Sequence, residues 1–315
     1  MRVSETAVPK LGSWGDGWAA LRRRFKARGK WDKIAIVFLA PWLLHLCIFT
    51  LYPLYIALYG SVSDWNILTG EMKYAGFVYY AKLFGDPNFF LAIRNSFVYL
   101  FCQVPAAILG GLFVALMLNQ AWLKGRMFFR GIYFLPVIVP MVVMSIVWQW
   151  MYSTNSGVFN YFLSFLGIGK VSWLTSELLS MPSIALMKIW NDIGFYAVLF
   201  LAGLQGIPSE IVDAGRVDGA NDWQMLWRIK LPMLNPVVVF SVVMGTLWGL
   251  NIFTEPYLMT EGGPLGSSLT TLLYLYQQGF IWSKLGYANA IGVVSTLMIL
   301  VLTQLERRLL ERAIF

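Results

Sequence analysis

The sequence predicts an all-α, polytopic membrane protein with about six transmembrane helices, on three observations. The first is composition: of 315 residues, 58% are hydrophobic and 16% aromatic, only 13% are charged, and mean hydropathy is +0.64. The second is arrangement, because the apolar residues come in runs of about 20, the length a helix needs to cross a bilayer. The third is charge placement. Net charge is +8, but the basic residues gather at the N-terminus and in alternate loops, which suits membrane topology better than nucleic-acid binding.

Taken in order, residues 1–33 are polar and basic, with Arg22, Arg23, Arg24, Lys26, Arg28, Lys30 and Lys33 close together. No short apolar stretch ending in a cleavage site is present there, so an uncleaved cytoplasmic tail lying against anionic headgroups is expected. The first span is expected at 34–60, with Pro41 and Pro53 inside it. Residues 63–89 carry the turn signals Asn66, Gly70, Gly76, Gly85 and Pro87, and read as an outer loop. Span two is expected at 94–118, where the pair Gly110-Gly111 allows close helix approach. Span three is expected at 132–151, kinked at Pro136 and Pro140.

A mixed stretch follows, with a short interfacial helix around Phe159–Leu166. Span four is expected at 182–204 and span five at 236–257. The Gly262-Gly263-Pro264 turn leads to an amphipathic or re-entrant piece at 269–282, and then to span six at 285–304. The chain so divides into a basic tail at 1–33, a first helix and outer loop at 34–90, a transmembrane domain at 91–305 and a C-terminal tail at 306–315. Eighteen of the twenty-four Lys and Arg residues lie in the two tails, the 121–131 loop and the stretch 208–234. By the positive-inside rule those four segments are cytoplasmic, as are both termini.

The stretch 208–234 is a polar island between two apolar spans. Pro208 and Ser209 can open a helix, with Glu210 and Asp213 in its first turn where the dipole favours anions. Ala214, Gly215, Gly219 and Ala220 leave one side with little bulk, so another backbone could come close. Asn221 with Gln224 three residues on is a capping-box pattern for a second short helix. Two short helices meeting near Gly219 would form an L-shaped element, either a docking surface for a cytoplasmic partner or a helix packed under the bundle.

The run Asp213-Ala214-Gly215-Arg216-Val217-Asp218-Gly219, nine residues, then Ile229-Lys230-Leu231-Pro232 resembles the EAA motif of inner-membrane permease subunits of ABC importers. The family pattern is E-A-A-x-x-x-G-x9-I-x-L-P, and this chain departs from it by Asp213 for Glu and Gly215 for Ala. LAGLQGIPSE before the motif, and LPMLNP and MTEGGP after it, are similar to the carbohydrate-uptake branch. The resemblance implies the type I importer permease fold over about 94–305 and a coupling role for Glu210, Asp213, Ala214, Gly215, Asp218, Gly219, Ile229, Leu231 and Pro232. It further implies a second homologous permease, two ATPase subunits that hold ATP and Mg, an extracytoplasmic binding protein and a sugar substrate, all at a bacterial or archaeal cytoplasmic (inner) membrane.

No catalytic set is visible. Gly29-Lys30 and Gly169-Lys170 lack the rest of a phosphate-binding loop, so this chain is expected to hold no ATP site and no cofactor. Cys47 and Cys102 read as small buried apolar residues, and His45 as a hydrogen-bonded structural residue. Intramembrane polar residues are costly and so informative. Lys188 and Asp192 share a helix face, either as a self-neutralising pair or as substrate contacts. Around them Trp190, Asn191, Asp192, Tyr196, Trp248, Asn251 and Glu255 supply the stacking faces and hydrogen-bonding groups that a sugar needs. An ion-coupled transporter would show inverted repeats or several paired carboxylates. A membrane enzyme would cluster His, Asp or Glu near one interface. A permease for glycerol phosphate or a polyol derivative shares these motifs.

Overall fold

The computed structural model describes residues 36–66, 69–120 and 122–312, so the expected tail at 1–33 lies outside the described residues. The chain divides into two compact units after Ala57. The first unit contributes residues 36–57 of helix α1 (Ile36–Ser61), which includes a π-helical turn at Cys47–Leu51. Nearly every residue in this stretch is exposed, Cys47 and His45 included, and the His45 ring lies 5.0 Å from that of Phe49. Cys102 is exposed too. The expectation that the two cysteines are buried is therefore wrong. An apolar helix surface in a bilayer faces lipid or another helix, so the apolar-inside rule of soluble proteins does not apply.

The second unit opens with a small antiparallel hairpin, β1 (Ser63–Trp65) and β2 (Met72–Tyr74), which the all-α reading lacks. Helix α2 (Val78–Phe84) leads to α3 (Pro87–Leu118), which starts seven residues before the expected span. Asp86 explains the early start. Its side chain caps the helix by accepting from the Asn88 N–H, and Pro87 stands at the first helical position. The Tyr274 and Tyr287 hydroxyls also donate to Asp86, each at 2.5 Å. Burial pushes this carboxyl up, but the two phenols and the Asn88 and Phe89 N–H groups outweigh it and hold it below the usual carboxylate range.

Span three is a pair, α4 (Arg126–Ile138) and α5 (Met141–Met151), bent by 96°. Pro140 requires an extended residue before it, and Val139 sits at φ −77°, ψ 129°. Helix α6 (Val158–Phe165) matches the expected interfacial helix, and α7 (Ser180–Gln205) is span four. Helices α3 and α7 pack most extensively, along a seam of small residues. A Cβ on Gly110 would crowd Ile193 and one on Gly111 would collide with Tyr196, while one on Gly194 would strike the Tyr133 carbonyl of α4.

Past the polar island, α10 (Asn235–Leu250) stops and α11 (Thr254–Met259) restarts at membrane depth. Then come α12 (Thr271–Tyr276), with its π-helical continuation Gln277–Ile281, and α13 (Leu285–Arg312). Helix α13 runs without a break through the domain boundary expected at 305. Among the described residues, five helices are long and apolar enough to cross a membrane, or six spans if the bent pair counts as one. The largest core lies between α3, α7 and α10 around Val104, Tyr196, Phe200 and Leu250.

Candidate functional site

Two places bring the expected site residues together. The first is the polar island, where α8 (Ser209–Val217) is followed by α9, made of Asp222–Gln224, a π-helical turn Met225–Lys230 and Leu231–Met233. Helix α8 ends in a Schellman motif. The Gly219 N–H donates to the Arg216 carbonyl at 3.0 Å and the Ala220 N–H to the Gly215 carbonyl at 3.0 Å. This closure needs a left-handed residue, and Gly219 supplies it at φ +81°. Asn221 opens α9 with a full capping box, its Oδ1 accepting from the Gln224 N–H while the Gln224 side chain accepts from the Asn221 N–H. The two short helices thus meet at Gly219.

The faces of α8 separate the residues expected to couple. Gly215 is buried, and a Cβ there would strike Ile229 Cδ1 at 2.6 Å and Met225 Cε at 3.0 Å. Its small size therefore serves packing within the chain, not the approach of an outside backbone. Ile229 is the inner partner of that contact, and Leu231 packs on the large core. Glu210, Asp213, Ala214, Asp218, Gly219 and Pro232 are exposed, and Val217 is 88% exposed. A shallow recess between Gly215, Asp218, Gly219 and Arg228 lies beside them.

The second place is a cavity of about 310 Å³ inside the bundle. It opens where α10 breaks: Asn251 caps that helix, Phe253 leaves helical geometry, and Glu255 stands in the first turn of α11. Irregular backbone at this depth is tolerated because it lines a cavity. Lys188 Nζ meets Asp192 Oδ1 at 2.5 Å and Asn191 Oδ1 at 3.3 Å, and Gln103 Nε2 donates to Asp192 Oδ2 at 2.8 Å. Glu255 is 5% exposed.

Of the expected residues, Asp192, Tyr196, Trp248, Asn251 and Glu255 line this cavity, together with Lys188. Trp190 and Asn191 do not. Trp190 lies against Trp148, with ring centroids 5.6 Å apart, and Asn191 donates to the Pro136 carbonyl at 2.6 Å, behind the bend of the broken span. Successive helix positions point about 100° apart, so neighbours of Asp192 need not share its face. Sequence reasoning missed Tyr99, Gln103, Met141, Phe253 and Thr254, which also line the cavity. Gln103 carried a signal, being polar in the middle of an apolar run; Met141 and Phe253 carried none.

A helical bundle with a broken span over a polar cavity and a capped helix pair exposed at one end defines a transport subunit of the permease class. Residues 107–314 match the family model described as the binding-protein-dependent transport system inner membrane component, and the chain belongs to that family. The arabinooligosaccharides transport system permease protein AraP of Bacillus subtilis is 32% identical over 275 residues, 87% of each chain. The lactose transport system permease protein LacF of Rhizobium radiobacter is 32% identical over 295 residues, covering 91% of this chain and 95% of that one. In solved structures, a chain of a bacterial ABC transporter that imports the acidic polysaccharide alginate has the same fold. Its TM-score is 0.81 at 24% identity, over 92% of this chain and 99% of that one.

Proposed function

We propose that the chain is the permease subunit of an ATP-driven importer for a sugar or oligosaccharide, forming half of the translocation pathway. It works with a second homologous permease, two cytoplasmic ATPase subunits that bind ATP and Mg, and an extracytoplasmic binding protein that delivers the solute. Both termini and the 208–234 element face the cytoplasm. Relatives named for arabinooligosaccharide and lactose transport support the sugar assignment. The alginate transporter solved with a pentasaccharide-bound periplasmic protein supports the assembly.

The observation that carries this reading is the geometry of the island. Gly215 packs on Ile229 and so joins α8 to α9, and Leu231 ties α9 to the bundle, while Asp213, Ala214, Asp218 and Gly219 are exposed. Closure of the ATPase pair on ATP would press on α8, and α9 would carry the push to α10. This tilts the bundle so that the cavity opens outward. ATP must favour one of the two states of that bundle to drive the change.

The test places a cysteine at Ala214 in a variant with Cys47 and Cys102 replaced. A cytoplasmic cross-link to an ATPase subunit is expected in the assembled importer. Labelling of that cysteine from the outer face would overturn the topology and with it the coupling role.

A further inference from the structure

The central cavity is lined by hydrogen-bond acceptors with no unpaired cation beside them. Gln103 gives one amide N–H to Asp192, and its carbonyl oxygen is open to a donor. Asn251 gives one amide N–H to the Leu247 carbonyl at 2.7 Å, and its Oδ1 is open likewise. Lys188 is the single cation among the described lining residues, and its ammonium is held by Asp192 and Asn191. Glu255 is buried, and among the described residues only its own backbone N–H hydrogen-bonds to its carboxylate. A buried carboxylate without a side-chain partner is costly in a membrane and calls for a donor from outside the chain.

Resting on the sugar reading above, we propose that this half of the pathway selects by charge. It takes neutral or amino sugars, whose hydroxyl or ammonium groups donate to Glu255, Asn251 and Gln103, and it disfavours uronates and sugar phosphates. In either protonation state of Glu255 no cation is free to meet an anion. Desolvating a carboxylate or phosphate here would leave it unpaired, which costs far more than leaving a hydroxyl with one bond fewer. Trp248, 42% exposed, supplies a flat face for the apolar side of a sugar ring. Glu255 is assigned as the specificity-determining residue. Glycerol phosphate, which the sequence motifs alone leave open, is the wrong charge for this cavity.

The experiment uses cells that carry the complete importer, compared with cells whose ATPase subunits cannot hydrolyse ATP. Both are given one pool of neutral, 2-amino, uronate and phosphorylated mono- and disaccharides together with neutral polyols, and solutes removed from the medium are identified by mass spectrometry. Removal of neutral or amino sugars is expected; removal of a uronate or phosphate overturns the charge rule while leaving a sugar importer. Removal of polyols alone would sink the sugar reading and leave the charge rule standing. In the assembled importer, Glu255→Gln is expected to narrow the preference for the imported sugar over its uronate counterpart by about tenfold. Glu255→Leu should do the same with ATPase subunits still co-purifying. An unchanged preference in both variants overturns the assignment, since a purely structural role would lower both rates together.

Discussion

The 208–234 element and the central cavity are built in opposite ways. In 208–234 every structural bond runs between near neighbours: the Schellman closure joins residues three and five apart, and the capping box joins Asn221 to Gln224. In the cavity, Gln103 meets Asp192 across 89 residues of chain, and outside its lining Asn191 is fixed by Pro136 across 55. The first element folds on local chemistry and presents polar surface to water. The second exists only when α3, α7, α10 and α11 are assembled. A device that must dock and release can be local and exposed, whereas one that must exclude solvent has to be made by the whole bundle.

The largest test of that contrast removes one member of the buried ion pair. Lys188→Ala leaves Asp192 with only Gln103 for a partner, and breaking a buried pair costs about 3–5 kcal/mol. A large drop in unfolding temperature of the purified protein is expected. Lys188→Met combined with Asp192→Asn should recover most of it, because no charge is then stranded. A small effect of Lys188→Ala alone would mean that the pair is wet and the cavity is not a product of the fold.

Gly219 tests the local element. Its left-handed backbone makes Gly219→Val cost about 1–2 kcal/mol, confined to the island, so uptake should be lost while the protein reaches the membrane and the bundle melts normally. Gly219→Asn tolerates that conformation. None of the described residues lies within 4 Å of a Cβ at Gly219, so a docked partner is what would feel the added side chain. The Asn variant is therefore expected to keep the turn and still transport poorly. Full uptake with Asn would show that Gly219 serves only to end α8.

The same contrast explains what could be read from the sequence. The two short helices, their meeting point and the capping box were all legible, since each depends on residues within a few positions. The broken third span was legible as a kink through Pro136 and Pro140, although not as a 96° bend. The early start of α3 was hidden because Asp86-Pro87 reads equally as a turn or as a helix cap. Asp192, Tyr196, Trp248, Asn251 and Glu255 were legible as polar or aromatic groups in apolar spans. Which helix face looks into the cavity was not, and Trp190 and Asn191 were misplaced for that reason. Tyr99 and Met141 reach the cavity through packing that no short window encodes.

The smallest effect sharpens the comparison most. Asn221→Ala removes the cap of α9 and should cost about 1 kcal/mol. Because that energy is local, it should appear as a loss of about fivefold in amide-exchange protection over residues 222–225. The unfolding temperature of the bundle should not move. If it falls as well, the island is welded into the bundle's cooperative unit, and α9 must be counted with α10 instead of with α8. If only the local protection falls, the island opens on its own. Its grip on α10 would then pass through Leu231, which packs on the large core, and not through the cap.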